Sequence, residues 1–524
     1  MRVRYLVALI GCAIAAVAPA SGQYDDLAAK SQRGKQLIEA ERYEEAIPIY
    51  RELSRALPGD PGPLANLGMV LHLAGQDREA ADKLEAVLKI DPTYMPAQLF
   101  LGAAHMGSGE PAKAVGPLEK VVRTQPDHVD ARRLLGEALL ATGRHESAVP
   151  HFEKLRALDP ANPKTWSGLG RSYEALAQED FVELEKVALG SPFWIVLAAE
   201  ARAKVGHLNG AFFLYREALG KMPSLRGVHA ALAEIYKKTE HPDWAAIEEE
   251  KERSQPPLAC GEVGKAAPRS RVSAKPPQPR RPEARKLECD FWAARYRDLI
   301  ASAKGAPSSE TLYWRSRAYD KLATEAFLKL EELPPSAEVH ELMGQIYYGQ
   351  RRCLDAVKEW KAALELSSRN PYYRKELAIS MTCSRDYEGA RQILQELLKE
   401  SENSPELNYW LGTALIGMKE EAGAVPYLEK AVQADPMVPA PHRELARAYL
   451  HSGQAAKAIP HLQFAIPYDK DGSLYYQLAQ AYRSTGQPDL AKETLKKFQG
   501  MQNAAAAQKD IVDQEMQISA PETK

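Results

Sequence analysis

A fixed period of 34 residues runs through this chain and limits what it can fold into. Gly34, Gly68, Gly102, Gly136 and Gly170 keep that step, as do Ala46, Ala80, Ala114 and Ala148, and Pro58, Pro92, Pro126 and Pro160. Three interleaved series in one register mark a structural repeat, and such a period decides the fold before any single residue is read. A second run follows: Gly344, Ala378, Gly412 and Ala446 recur at the same interval, with Ala356, Ala390, Ala424 and Ala458. A period of this length has room for two helices and a tight turn. Proline closes the second helix because it lacks an N–H and disfavours a helical residue before it. Gly75 and Gly143 fall between the helices, where a positive φ costs glycine little.

Within a period the pattern is a small residue at position 8, alanine at 20, a large apolar residue at 24 and proline at 32. The second repeat carries it as Leu64, Leu67, Gly68, Leu71, Ala80, Leu84 and Pro92. This pattern resembles the tetratricopeptide-repeat (TPR) family. The resemblance implies an all-α fold, a right-handed superhelical α-solenoid of helix-turn-helix repeats, here in two arrays. It also implies a non-enzymatic scaffold that binds proteins or peptides on its concave faces.

The first array is expected over 24–253, with about seven repeats. Its fifth repeat opens with Trp166, Gly170 and Tyr173 and loses the pattern after Ala177. The stretch 177–191 reads as a distorted second helix, and the register returns near Ala211, Tyr215 and Ala218. The second array is expected over 287–502, with about six repeats. Trp314 and Ala318 open it in a repeat with a shortened turn that ends at Pro334-Pro335. Residues 503–524 read as a polar tail, a frayed capping helix followed by disorder. Between the arrays, 254–286 carries seven prolines and eight Lys/Arg against two Glu. Such a stretch cannot bury enough apolar surface to fold alone. It reads either as a solvated insertion or as a basic arm for an anionic partner.

The N-terminus has the build of a secretory signal peptide over 1–23: Arg2 and Arg4, an apolar run from Tyr5 to Val17, then Ala18-Pro19-Ala20. It places the protein outside the cytoplasm, in the periplasm, the cell envelope or beyond. Leu9-Ile10-Gly11-Cys12 also resembles a lipobox, so a lipid anchor at Cys12 is a second, minor reading. No later stretch is long and apolar enough for a membrane helix. The formal net charge of −2 argues against a global nucleic-acid binder. With Cys12 removed, four of the five cysteines remain. Cys260 and Cys289 bracket the basic stretch, and Cys353 and Cys383 fall at the helix-to-helix turns of neighbouring repeats. An oxidising compartment permits both pairs to bond, each closing a loop of about 30 residues worth roughly 3 kcal/mol in the chain-entropy model. Four inert thiols in helix packing are the alternative.

Catalytic patterns are lacking: there is no HExxH and no GxSxG. Gly412–Lys419 fails as a phosphate loop, because Met418 separates Gly417 from Lys419 and Glu420 stands where Ser or Thr is needed. No cofactor or metal is expected. The resemblance implies that the first helix of each repeat lines the concave binding face. In the second array this gives Tyr348, Tyr372, Lys375, Tyr409, Arg443, Arg447, Tyr476, Gln480 and Arg483, and in the first array Arg133 and Arg171. Tyrosine and arginine are favoured at binding hot spots. TPR domains that clamp chaperone tails use lysine at position 5 and asparagine at 6 and 9. Here Asn66 stands alone beside Ala65 and Met69, so that clamp is not expected. An accessory role in an envelope secretion, lipoprotein-assembly or polysaccharide-export complex is the alternative to a free-standing scaffold.

Overall fold

The computed structural model describes residues 21–258, 260, 282–303, 308–368, 370–469, 471–513 and 518–521. Residues 1–20 of the leader, with the lipobox at Cys12, and most of the basic stretch lie outside them. Among the described residues the chain is all-α, with no strand. The chain opens with α1 (Ser21–Glu39), α2 (Tyr43–Ala56), α3 (Pro61–Leu73), α4 (Asp77–Ile90) and α5 (Met95–Gly107). It continues with α6 (Pro111–Thr124), α7 (Val129–Ala141), α8 (His145–Leu158) and α9 (Pro163–Ala188). Next come α10 (Pro192–Lys204), α11 (Leu208–Lys221), α12 (Val228–Lys238) and α13 (Pro242–Arg253). Then follow α14 (Pro282–Trp292), α15 (Tyr296–Ser302) and α16 (Ser309–Glu331). The last stretch holds α17 (Ala337–Gly349), α18 (Cys353–Leu366), α19 (Pro371–Cys383), α20 (Tyr387–Glu400) and α21 (Pro405–Gly417). It ends with α22 (Glu421–Ala434), α23 (Pro439–His451), α24 (Ala455–Ala465), α25 (Ser473–Ser484) and α26 (Pro488–Asp513).

Local chemistry explains where the helices start. Asn162, Asn370 and Ser404 cap α9, α19 and α21 through their side chains, and each is followed by proline at the first helical position. The cap satisfies an orphan N–H and proline removes another. The turn after each first helix needs one left-handed residue. Gly75, Gly143 and Gly453 take it, but so do Arg351, Arg385 (φ +68°) and Lys419.

The repeat packing sharpens the sequence reading. Apart from Gly170, each glycine at position 8 lies under the large side chain sixteen residues later in its own repeat: Gly34 under Tyr50, Gly136 under Phe152, Gly344 under Trp360. A Cβ on Gly68 would sit 2.5 Å from Leu84 Cγ. The large residue therefore closes its own helix pair, and Phe152 also packs under Gly168 of the next repeat. Leu84, Leu118, Phe152 and Leu428 are fully buried.

The chain divides into two compact units, and neither is one stretch of sequence. One joins the residues up to Gly190 to Pro257–Leu333; the other joins Ser191–Pro256 to Pro334–Lys524. The linear division at 254–286 is therefore not the line along which the units part. The reason lies in two long helices. The stretch 177–191 is not a distorted second helix: α9 runs unbroken for 26 residues, to Ala188. Nor does Trp314 open a repeat with a shortened turn, since α16 is a single helix of 23 residues. Among the described helices these two make the most extensive pair, and both belong to the first unit. Tyr173 stacks on Tyr319, Gly170 receives Phe327, and Ser316 Oγ donates to the Ala177 carbonyl at 3.0 Å. Arg315 Nε donates to Asp180 Oδ2 at 2.7 Å, and a second guanidinium nitrogen reaches Oδ1. Arg297 of α15 and Tyr173 of α9 both donate to Glu153 Oε1 of α8, at 2.9 and 2.7 Å. At the C-terminus α26 extends to Asp513, and Ser519 of the described segment Ile518–Pro521 accepts a hydrogen bond from Tyr236 of the same unit.

Candidate peptide-binding surface

The 34-residue register puts equivalent residues of the first helices into columns. In the second unit α19 touches α21, α21 touches α23, and α23 touches α25. Glu341, Lys375, Tyr409 and Arg443 hold the same position in α17, α19, α21 and α23. Tyr348 and Arg443 are both close enough to Tyr409 to act on its charge, and burial raises the Tyr409 pKa. Tyr372 is 39% exposed, accepts a hydrogen bond from Gln345 Nε2 at 3.1 Å and lies 5.5 Å from Lys375 Nζ across its ring. Tyr476 is 45% exposed and tilts against Phe498. Gln480 and Arg483 are exposed on α25. The structure therefore brings Tyr348, Tyr372, Lys375, Tyr409 and Arg443 onto one surface.

The cations on this surface are held by acids that the sequence reading did not name. Lys375 Nζ binds Glu406 at 2.7 Å and Glu376 at 3.3 Å. Burial works to lower the Lys375 pKa, but those carboxylates hold it above the ordinary value, while burial raises Glu376. Buried Glu444 pairs with Arg443 at 3.2 Å and with Arg447 at 3.4 Å. Tyr373 donates to Glu341 at 3.0 Å. Reading the register for acids as well as for tyrosines and cations would have put Glu341 in the Lys375 column, and Glu444 stands next to Arg443 in sequence. In the first unit Arg133 is buried and pairs with Glu137 at 3.0 Å and Asp130 at 3.5 Å. Arg171 is exposed on α9.

The cysteines come together as two pairs. Cα atoms of Cys260 and Cys289 are 5.6 Å apart, and those of Cys353 and Cys383 are 5.7 Å apart, both within disulfide range. Among the described residues no group of His, Cys, Asp and Glu is placed to hold a metal ion, and no helix is long and apolar enough to cross a membrane.

Models of the tetratricopeptide repeat match residues 31–94, 101–163 and 342–504, in overlapping stretches over the last. The chain belongs to the tetratricopeptide-repeat family, whose members serve as scaffolds for protein–protein interaction. Among solved structures it is similar to MamA of Desulfovibrio magneticus RS-1, at 21% identity and a TM-score of 0.29, over 32% of this chain and 96% of that one. It is also similar to a tetratricopeptide-repeat protein of Parabacteroides merdae, at 12% identity and a TM-score of 0.31, over 68% of this chain and 99% of that one. No curated protein matches the chain.

Proposed function

We propose that this protein is an exported, non-enzymatic scaffold of the cell envelope that holds an extended peptide along the first helices of α17–α25. One observation carries the reading: tyrosines recur on the first helices of the repeats, Tyr348 in α17, Tyr372 in α19, Tyr409 in α21 and Tyr476 in α25. Tyrosine offers a large rigid ring and a polar tip at low entropy cost, which suits sequence-tolerant contact with a peptide backbone. The ion pairs Lys375–Glu406 and Arg443–Glu444 leave little net charge between the rings. The partner surface is therefore mixed in charge rather than strongly acidic. Export rests on the leader, and the two cysteine pairs fit an oxidising compartment.

Crosslinking in the native envelope followed by mass spectrometry tests the reading. A recovered partner should lose about tenfold or more in affinity when Tyr372 and Tyr409 are both changed to alanine, since hot-spot aromatics carry about 1–2 kcal/mol each. Recovery of no partner above background, or a partner indifferent to the double substitution, would overturn this assignment. Intact mass of the exported chain reads leader removal and the two disulfides together.

A further inference from the structure

A second surface, on α11 and α12, already holds a peptide. Ile518–Pro521 lies against it, about 300 residues away in sequence. Tyr236 of α12 donates its hydroxyl to the Ser519 carbonyl at 2.7 Å, and Arg216 Nη1 of α11 donates to Ser519 Oγ at 2.9 Å. The segment alternates in exposure: Ile518 and Pro521 are half-buried, whereas Ser519 and Ala520 face solvent. The receiving side chains also pack on one another. The Phe212 ring meets Tyr236 edge-on at 5.6 Å, Tyr236 meets Trp244 at 5.6 Å, and Trp244 stacks on His241 at 4.1 Å. The Arg216 guanidinium lies 5.9 Å from the centre of the Phe212 ring. Tyr236 is 1% exposed in all, so its hydroxyl is the polar end of an otherwise buried ring. Burial pushes its pKa up to about 12, which keeps the hydroxyl protonated and donating.

We infer that the α11–α12 face is a docking site for an extended peptide, and that the protein's own C-terminal segment Ile518–Pro521 is its resident occupant. The recognition chemistry is legible. One donor reads a main-chain carbonyl, one reads a hydroxyl side chain, and an apolar residue and a proline flank them at either end. A partner that takes this site is an extended segment of the same kind, and it must first displace the tail. Tethering favours the tail, since a short connection gives an effective concentration on the order of millimolar. Weak intrinsic contacts then suffice to keep the site filled. This site is separate from the tyrosine-lined surface of α17–α25, and either assignment can fail without the other.

Hydrogen exchange on the full chain tests the resident. Amides of Ser519 and Ala520 should exchange at least tenfold faster once Tyr236→Phe and Arg216→Ala are combined, with exchange in α17–α24 unchanged. Tyr236→Phe alone keeps the ring packing and should show part of the effect. A chain ending at Asp513 loses none of the described buried residues, the last of which is Thr494. A labelled synthetic peptide of residues 514–524 should bind this shortened chain at least tenfold more tightly than the full chain. The two substitutions should abolish that difference. Equal binding to both chains, no binding to the shortened one, or binding indifferent to Arg216 and Tyr236 would each overturn the assignment. So would concentration-dependent dimerisation of the full chain, which would place the tail on a second copy.

Discussion

The stack α17–α26 and the pair α9–α16 are built from similar residues and held by different means. In the stack each helix touches the ones next to it in sequence, so its stability is close to a sum of repeat and nearest-neighbour terms. The pair joins helices separated by 120 residues of chain, from Ala188 to Ser309. It closes that loop with polar contacts as well as apolar ones: Arg315 on Asp180 and Ser316 on the Ala177 carbonyl. Loop closure costs entropy that a nearest-neighbour stack does not incur. Directional, buried contacts then specify which helix pairs with which. In the stack the period alone does this.

The largest expected effect breaks the pair. Asp180 is nearly buried, and burial raises its pKa against the pull of Arg315. Arg315→Ala strands that carboxyl and should destabilise the first unit by about 4 kcal/mol, because removing one partner of a buried ion pair leaves the other without compensation. Arg315→Met with Asp180→Leu should restore most of the loss in denaturant unfolding. If the double variant is as unstable as the single, the ion pair supplies stability itself and not only the choice of partner.

A core truncation in the stack should be large but local. Leu428 is fully buried over Gly412, and Leu428→Ala should cost about 3 kcal/mol. Hydrogen exchange should show faster opening of α21–α24 with α9 and α16 unchanged. Loss of protection throughout the chain would mean that the stack is not a sum of neighbours.

Close approach in the pair gives a smaller effect. Gly170 meets the Phe327 ring with no room for a Cβ, so Gly170→Ala should cost about 2 kcal/mol through overpacking. Thermal unfolding of the first unit reads it. An unchanged midpoint would show that half-buried Phe327 swings aside and that the pair tolerates slack.

The same contrast explains what the sequence reveals. The repeats α2–α8 and α17–α25 are legible because their packing partners lie within 34 residues: Gly136 finds Phe152 and Gly344 finds Trp360 inside one period. The course of α9 past Ala177 is not legible. Leu176, Asp180 and Leu184 recur every four residues and are buried, but Asp180 makes sense inside only once Arg315, 135 residues on, is known. The tyrosines of the candidate surface are readable because the repeat marks the first helices that carry them. Their neutralised cations are not, since Lys375–Glu406 spans two repeats. The docked tail is least legible, because Ile518–Pro521 has no periodicity to mark it.

The smallest effect lies in the stack and is read by pH. His461 Nδ1 is 2.9 Å from His442 Nδ1, and His442 Nε2 is 3.1 Å from the Pro436 carbonyl. That carbonyl takes the His442 Nε2 proton, so in the neutral pair His461 donates and His442 accepts. Burial lowers both pKa values; the neighbouring imidazole lowers that of His461 further, against a pull from Glu429. A protonated His442 would face one N–H with another. The folded state therefore binds fewer protons than the unfolded chain, whose histidines titrate near the ordinary value of about 6.5. Stability from this pair is complete above that pH and declines as the pH falls through the lowered values. Denaturant midpoints of the second unit should fall between pH 7 and 5, by less than any substitution above costs. His461→Gln keeps a donor for His442 and removes one charge, so its midpoint should be flatter over the same range. An equal slope in that variant would assign the acid sensitivity to other groups and leave the stack, unlike the pair, without a titrating contact of its own.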